Sequence, residues 1–175
     1  MLVDHLAVRW GFGSFHRDGP ARVARGMFHR REVQLVKPQT FMNRSGNILG
    51  PLRTDRAFDV QRELLIVVDE VQLDLGRFRL RSRGTAGGHN GLKSIESALG
   101  HTDYARLRIG VGPVPENYPD MADFVLDPFR RDERAVIEDL LDPMAEAVET
   151  WVTDGIDIAM TRHNKKPPAP ESEGS

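Results

Sequence analysis

The stretch ELLIVVDE, residues 63–70, constrains the fold most, because it is a short, uninterrupted apolar run that ends in two carboxylates. Continuous rather than alternating hydrophobicity is typical of a strand that is covered on both faces, as in parallel sheets. Helical spacing appears before it, over residues 40–52, with Thr40 as the predicted cap and with Gly46 and Gly50 weakening the pattern, and after it, up to about residue 99. The sequence therefore predicts a mixed sheet with helices on both faces, and in such sheets ligands bind beyond the carboxyl ends of the strands.

Other segments continue this alternation of strands and helices. RVARGMF and REVQLVKP predict a hairpin, and RFRLRSR and ARLRIGVG predict further strands. We expect a helix over residues 1–10, a long amphipathic helix from about 130 to 152 and a short last helix after residue 153. Residues 113–128, with four prolines, predict a connecting loop. One domain over residues 1–164 and a disordered tail over residues 165–175 follow from these patterns.

Composition limits the class of protein. A chain of 175 residues with 39% hydrophobic content is large enough for one domain with a core. Cysteine is absent, which excludes a disulfide framework and thiolate metal sites and suits a reducing compartment. No apolar run approaches the roughly 20 residues of a membrane span, and the first residues lack a basic leader. We therefore expect a cytoplasmic protein with no membrane partner.

The charge is divided unevenly along the chain. Residues 1–110 hold 18 Lys and Arg against 11 Asp and Glu, whereas residues 111–175 hold 6 against 15. Most of the basic residues are arginine, whose planar guanidinium suits phosphate contacts. A polyanionic partner for the first part is one interpretation, and a solvated surface with an arginine-rich codon bias is the other.

Three stretches carry candidate functional side chains. FMNRSG contains Asn43, which is either functional or a packing amide; VVDE delivers Asp69 to a strand end, where it is either functional or a helix cap. In GGHNG the glycines permit close approach to the backbone beside His89 and Asn90. His89 could be a metal ligand, a base or a hydrogen-bonded structural imidazole. No paired-histidine or clustered-carboxylate pattern supports a metal, so we predict none.

Together, TFMNRSG, LLIVVDEVQLDLGRFRLRSRGTAGGHNGLKSI and YARLRIGVG resemble the bacterial-type peptidyl-tRNA hydrolases in order and spacing. The resemblance runs from about residue 1 to about 163. It implies a single-domain, three-layer α/β/α sandwich around a mixed, mostly parallel sheet whose first strand is missing. It also implies hydrolysis of the ester that joins a peptide to the 3′ end of tRNA, by a cofactor-free monomer. In that family a histidine activates water, an aspartate orients the histidine, and asparagine amides hold substrate and water.

The resemblance assigns roles to individual residues. Asp69 would orient the histidine, and Asn43 and Asn90 would be catalytic amides that also bind substrate. Met42 matches an apolar residue of the cleft wall, while His89 is interpreted as a structural partner. The substrate-binding residues that the resemblance implies are Phe41, Met42, Asn43, Arg81, Gly88, His89, Asn90 and Arg108, of which the two arginines would meet the nucleic acid.

One departure from the family pattern bears on activity. The catalytic histidine belongs to an N-terminal segment resembling GLGNPGxxYxxTRHNxG, and residues 1–10 match the helix after it. We therefore expect a truncated chain without the general base, which ordinarily costs roughly 10² to 10⁴ in rate. TRHN at 161–164 copies four letters of that segment, which we interpret as chance similarity. An upstream translation start and a weakened or inactive remnant both explain the departure, and a noncatalytic RNA-binding relative is the alternative function.

Overall fold

A computed structural model describes residues 1–55 and 57–164, so the predicted tail lies outside the described residues. The strands are β1 (His16–Asp18), β2 (Ala21–Phe28), β3 (Arg31–Pro38), β4 (Leu65–Asp74), β5 (Phe78–Arg81) and β6 (Ala105–Gly112). The helices are α1 (Leu2–Arg9), a 3-10 helix (Met42–Leu49), α2 (Gly50–Thr54), α3 (Val60–Glu63), α4 (Asn90–Leu99), α5 (Met121–Leu126), α6 (Arg131–Asp154) and α7 (Ile156–His163).

The first three strands form an antiparallel sheet in the order β1-β2-β3. His29 and Arg30 join β2 to β3 with φ values of 45° and 66°, the left-handed conformation that a two-residue hairpin turn needs. The predicted hairpin is therefore confirmed, and its turn is made by two residues for which that conformation is costly.

The predicted buried strand lies in a second sheet, with the order β4-β6-β5. Strand β4 runs parallel to β6, and β5 runs antiparallel to it. The predicted mixed sheet is confirmed, but "mostly parallel" is wrong for the described strands, since one of their four pairings is parallel. In the first sheet the reason is the two-residue links before and after β2, which are too short for the crossover that parallel strands require.

Helices cover both faces of the second sheet. On one face, α1, α6 and α7 form a core with Leu80 and Leu107 of the sheet; on the other, the 3-10 helix and α4 pack around Val68 and Tyr104. Alternation along a strand explains the division, because successive side chains point to opposite faces. The predicted three-layer α/β arrangement is thus confirmed around this sheet.

Two details differ from the sequence prediction. The proline-containing segment includes α5 and is not wholly a loop. Thr40 does not cap the 3-10 helix: its N-cap is Phe41, and the buried Thr40 hydroxyl has no hydrogen-bond partner among the described residues. The long helix and the last helix are confirmed as α6 and α7. Within the described part of the chain, no helix is long and apolar enough to cross a membrane.

Candidate active site

A cavity of about 710 Å³ lies between the 3-10 helix and α4. Asn43, the second residue of the 3-10 helix, and Asn90, the first residue of α4, both line it. The structure therefore brings together two of the three residues with predicted catalytic roles, from segments almost fifty positions apart. The full lining is Asn43, Gly46, Asn47, Gly50, Asn90, Lys93, Ser94, Ser97 and Ala98.

Gly46 allows the two helices to approach closely enough to share this cavity. A Cβ atom at this position would lie 2.3 Å from the carbonyl oxygen of Ser94, so that any side chain would force the helices apart. The Gly46 N–H also donates to Ser94 Oγ at 2.9 Å. The glycine that weakens the helical pattern in the sequence is thus required by the packing around Asn43.

The glycine-rich loop before α4 sets the position of Asn90. Gly87 and Gly88 have φ values of 57° and 90°, a conformation that other residues rarely adopt. His89 follows as the N-cap of α4, and its Nδ1 accepts a hydrogen bond from the Leu92 N–H at 3.2 Å. Asn90 therefore begins α4 with its amide at the cavity.

Asp69 contacts the same loop through His89. Its Oδ1 lies 3.2 Å from His89 Nε2, and the two side chains are 31% and 20% exposed. Since Nδ1 accepts the Leu92 N–H, the neutral ring carries its proton on Nε2 and donates it to Asp69. Regular pairing of β4 with β6 continues through Glu70 and shifts afterwards, so the strand extends past Asp69 and does not end there as predicted.

The Asp69 carboxyl is ionised at neutral pH. Burial raises its pKa, but the hydrogen bond from His89 and the electrostatic attraction of that ring, together with a backbone hydrogen bond, outweigh burial and hold the pKa below its usual 3.8. A permanent negative charge at this position favours the tautomer of His89 that donates from Nε2.

Two predicted apolar contacts lie beside the cavity. Phe41 is 79% exposed and Met42 is 49% exposed. A Cβ atom at Gly91 would lie 2.7 Å from Met42 Sδ and 2.9 Å from His89 Cε1, so Met42 packs over the start of α4. Met42 therefore lies beside the residue that follows Asn90, whereas Phe41 is exposed one position earlier in the chain.

The arginines of β6 hold the loop, a role that the sequence did not reveal. Arg106 is fully buried, and its Nη1 donates to the Thr85 carbonyl at 3.1 Å; Nη2 of Arg108 donates to the same oxygen, also at 3.1 Å. Arg108 Nη1 donates in addition to Glu70 Oε2 at 2.8 Å. Alternation in ARLRIGVG placed both arginines on one face, but only their register against the loop shows what they bind.

Strand β5 extends this set of arginines into a cluster. Arg79 lies opposite Arg108, and Arg81 lies opposite Arg106. Like charges in such positions destabilise a strand pair unless an anion offsets them. Arg81 is exposed, whereas the guanidinium of Arg108 is engaged by Glu70. Of the two arginines predicted to meet nucleic acid, Arg81 is therefore the accessible one.

The TRHN stretch has structural contacts. His163 Nε2 lies 2.8 Å from Thr150 Oγ1, and the Asn164 amide pairs with both the N–H and the carbonyl of Leu80. These contacts join the end of α7 to α6 and β5, which supports the interpretation of chance similarity. Within residues 1–55 and 57–164, no group of three or more His, Asp or Glu side chains is placed to hold a metal ion.

Comparison with known proteins gives consistent matches. The family model for peptidyl-tRNA hydrolase matches residues 1–171. A peptidyl-tRNA hydrolase of Gemmatimonas aurantiaca is 43% identical over 91% of this chain and 85% of its own length. One from Chloroflexus aggregans is also 43% identical, over 93% of this chain and 86% of its own length. The crystal structure of peptidyl-tRNA hydrolase from Acinetobacter baumannii superposes with a TM-score of 0.84 at 29% identity, covering 96% of this chain and 85% of that one. Because the family match covers almost the whole chain, it does not support the expected truncation.

Proposed function

We propose that Asn43, Asp69 and Asn90 carry out the reaction of the peptidyl-tRNA hydrolase family, to which this chain belongs. That reaction is hydrolysis of the ester bond between peptide and tRNA. The observation that supports the assignment is the shared cavity of Asn43 and Asn90, with Asp69 linked to it through His89. Peptidyl-tRNA is the partner, and no metal or cofactor takes part in the proposed mechanism.

The two amides suit the polar part of the reaction. When water attacks the ester, the carbonyl oxygen becomes an oxyanion, and the amide groups of Asn43 and Asn90 can donate to it without changing their protonation. The same side chains can accept a hydrogen bond from the attacking water through their oxygens. Asp69, which is ionised, keeps the role that the resemblance implies and would orient a histidine base. That base would take the proton that the water loses as its oxygen bonds to the carbonyl carbon, and would return it to the 3′ oxygen of the tRNA as the ester bond breaks.

His89 acts as a positioning residue in this proposal. In the neutral ring Nε2 carries the proton that is donated to Asp69, and the basic lone pair on Nδ1 accepts the Leu92 N–H, so neither nitrogen is available to take a proton from water. The ring holds Asp69 in place and begins α4 at Asn90. This agrees with the structural role that the family resemblance implies for His89.

Nucleic-acid contact is proposed for the arginine cluster of β5 and β6, with Arg81 reaching phosphate directly. Arg108 would reach phosphate when a phosphate replaces Glu70 on its guanidinium, since both are anionic acceptors. We also propose that the chain acts in the cytoplasm as a monomer, where peptidyl-tRNA arises during translation.

Ester cleavage of an N-acetylated aminoacyl-tRNA tests the assignment. We expect Asn43→Ala and Asn90→Ala each to lower kcat/KM by about 10² to 10³, the usual effect of removing one oxyanion donor. Gln61→Ala, on exposed α3, is the control and should leave the rate unchanged. Folded variants that cleave at the normal rate would refute the assignment. Salt-sensitive tRNA binding without any cleavage would favour the noncatalytic RNA-binding function.

The role of His89 is tested by His89→Asn. Asparagine is a good N-cap, so its amide oxygen can accept the Leu92 N–H in place of Nδ1 without supplying a base, although the shorter side chain does not reach Asp69. A positioning role predicts that kcat falls by less than about tenfold and keeps its dependence on pH. A loss of 10² or more, with a changed pH profile, would assign proton transfer to His89 instead.

A further inference from the structure

The cavity extends well beyond the two asparagines to which the reaction assigns roles. Asn43 and Asn47 form one wall, and Asn90, Lys93 and Ser97 form the other, at spacings that share one face of α4. The seven helical steps from Asn90 to Ser97 span roughly 10 Å along the helix axis. An extended peptide advances about 3.3 Å per residue, so that length fits about three residues.

The chemistry of the lining indicates which part of the substrate occupies this groove. Apart from the Ala98 methyl, its side chains are amides, hydroxyls and one ammonium, and none of the described residues that line it is aromatic. Single-stranded nucleotides are usually bound on aromatic platforms, whereas peptide backbone groups pair with amides and hydroxyls. The lining therefore favours the peptide over the 3′ end of the tRNA.

Of the described residues that line the groove, Lys93 is the one with a charged side chain. Among the described residues, no carboxylate lies within 4.0 Å of its ammonium group, although Glu96 follows it on the same helix. The side chain is exposed and one helical turn from Asn90, about 4.5 Å along the axis. At 3.3 Å per residue, this position corresponds to the residue next to the esterified one.

We propose that the groove between the 3-10 helix and α4 binds the last three residues of the substrate's peptide, and that Lys93 makes it prefer an acidic side chain at the penultimate residue. Asn43 and Asn90 hold the ester end, and Asn47 and Ser97 hydrogen-bond the peptide backbone farther along. This inference rests on the proposed function and names the peptide specificity of the same site.

Three acetyl-tripeptidyl-tRNAs test the preference, all made on one tRNA and differing only in a penultimate Glu, Gln or Lys. We expect the wild-type chain to cleave the Glu substrate with a kcat/KM about threefold above Gln and about tenfold above Lys, the scale of an exposed ion pair. Lys93→Gln should bring the three values together, and Lys93→Glu should reverse their order. Arg134→Gln, on exposed α6, is the matched control and should keep the wild-type order. Equal values in the wild type, or an order that Lys93→Glu leaves unchanged, would overturn the proposal.

A binding measurement keeps this inference separate from the proposed function. Titration of the folded chain with millimolar acetyl-Ala-Glu-Ala-amide should shift the backbone NMR signals of Asn47, Lys93 and Ser97, even if the chain cleaves no ester. The trinucleotide CCA should leave those three signals in place. A response to CCA alone, or to neither ligand, would contradict the peptide assignment whatever the cleavage assay shows.

Discussion

Asp69 and His89 stabilise the site through a single contact, and the carboxyl sets how that contact depends on pH. The pKa of Asp69 in the folded chain lies below its ordinary value of 3.8, because the interaction with His89 outweighs the cost of burial. A depressed carboxyl pKa means that the unfolded chain binds the proton more tightly than the folded one. The ionised carboxylate therefore stabilises the folded chain above pH 3.8, and this contribution is lost as the pH falls through the lower, folded-state pKa.

Replacing Asp69 by Asn should remove that pH dependence. We expect the difference in free energy of unfolding between wild type and Asp69→Asn to be constant above about pH 5 and to shrink as the pH falls below 4. Urea unfolding at pH values from 2 to 7 measures it. A difference that stays the same throughout this range would show that Asp69 does not gain stability from its ionised form.

Gly88 is the residue whose backbone conformation bears most directly on the site. Its φ of 90° disfavours any side chain, so Gly88→Ala should lower the free energy of unfolding by about 1–2 kcal/mol and displace Asn90. Gly13→Ala is the control, because a Cβ there meets nothing within 4 Å and no positive φ opposes it. Thermal melting and kcat/KM of both variants test this, and equal stability of the two variants would contradict it.

At the scale of elements, the loop before α4 is held from beneath by β6. Arg106 is buried, and besides the Thr85 carbonyl it donates to the Thr102 carbonyl at 3.1 Å. Its guanidinium lies 4.1 Å from the centre of the Tyr104 ring and 3.8 Å from Glu96 Oε1. Desolvation lowers the pKa of Arg106, and the charge of Arg108 lowers it further. The guanidinium nevertheless stays charged, because arginine does not lose its proton in proteins. One buried cation thus joins β6, α4 and both loops that flank α4.

Arg106→Met should therefore loosen the loop that carries His89. It removes the buried guanidinium from the Thr85 and Thr102 carbonyls, which keep Arg108 Nη2 and the Tyr104 N–H respectively, and it leaves Glu96 without its buried cation. We expect a cost of about 3 kcal/mol of stability, whereas Arg83→Met at an exposed position should cost less than about 0.5 kcal/mol. Urea unfolding gives the two values, and hydrogen exchange of the amides at 85–89 reports the loop. Unchanged exchange in a folded Arg106→Met variant would argue against the positioning role.

The turn between β2 and β3 offers a test in which a substitution should raise the free energy of unfolding. His29 and Arg30 both adopt positive φ values that Asn and Gly tolerate better. Replacing the pair by Asn-Gly should raise the free energy of unfolding by about 1 kcal/mol, less what is lost from the contact of the His29 ring with Phe28. Thermal melting of the double variant measures the gain, and a lower melting temperature would mean that this ring contact outweighs the turn strain.

On the scale of the whole molecule, charge is separated between the two helical layers. The arginine cluster lies on the face of the second sheet that α4 covers, and the acidic helix α6 covers the opposite face. A polyanion is therefore attracted to the side that carries the site and repelled by the other. The uneven charge along the sequence therefore gives the folded chain a basic side, which carries the site, and an acidic side opposite to it.

Arg81→Gln should reveal this orientation in tRNA binding. Loss of one phosphate contact reduces the slope of log affinity against log salt by about one, because one fewer counterion is released. Arg134→Gln on α6 should leave the slope unchanged. Affinities from 50 to 300 mM salt measure both, and the same slope for Arg81→Gln and wild type would remove Arg81 from the interface.

The local elements and the candidate residues could be predicted from the order of the amino acids alone. The apolar run of β4, the alternation of β5 and β6 and the spacing of α6 each depend on neighbours within a few positions, so that they were readable without coordinates. The motifs around Asn43, Asp69 and Asn90 were recognisable for the same reason. The resemblance that they carry predicted the family correctly.

The contacts of those residues could be seen only in the folded chain. Alternation put Arg106 and Arg108 on one face, but it could not show that one is buried and that both bind the Thr85 carbonyl. The contact of Asp69 with His89, and the groove that adds Lys93 to the site, depend on how closely the 3-10 helix and α4 approach the sheet. That approach is set by packing between segments that lie far apart in the chain, and local sequence patterns carry no information about such distances. Gly46, for example, sets the separation between the 3-10 helix and α4.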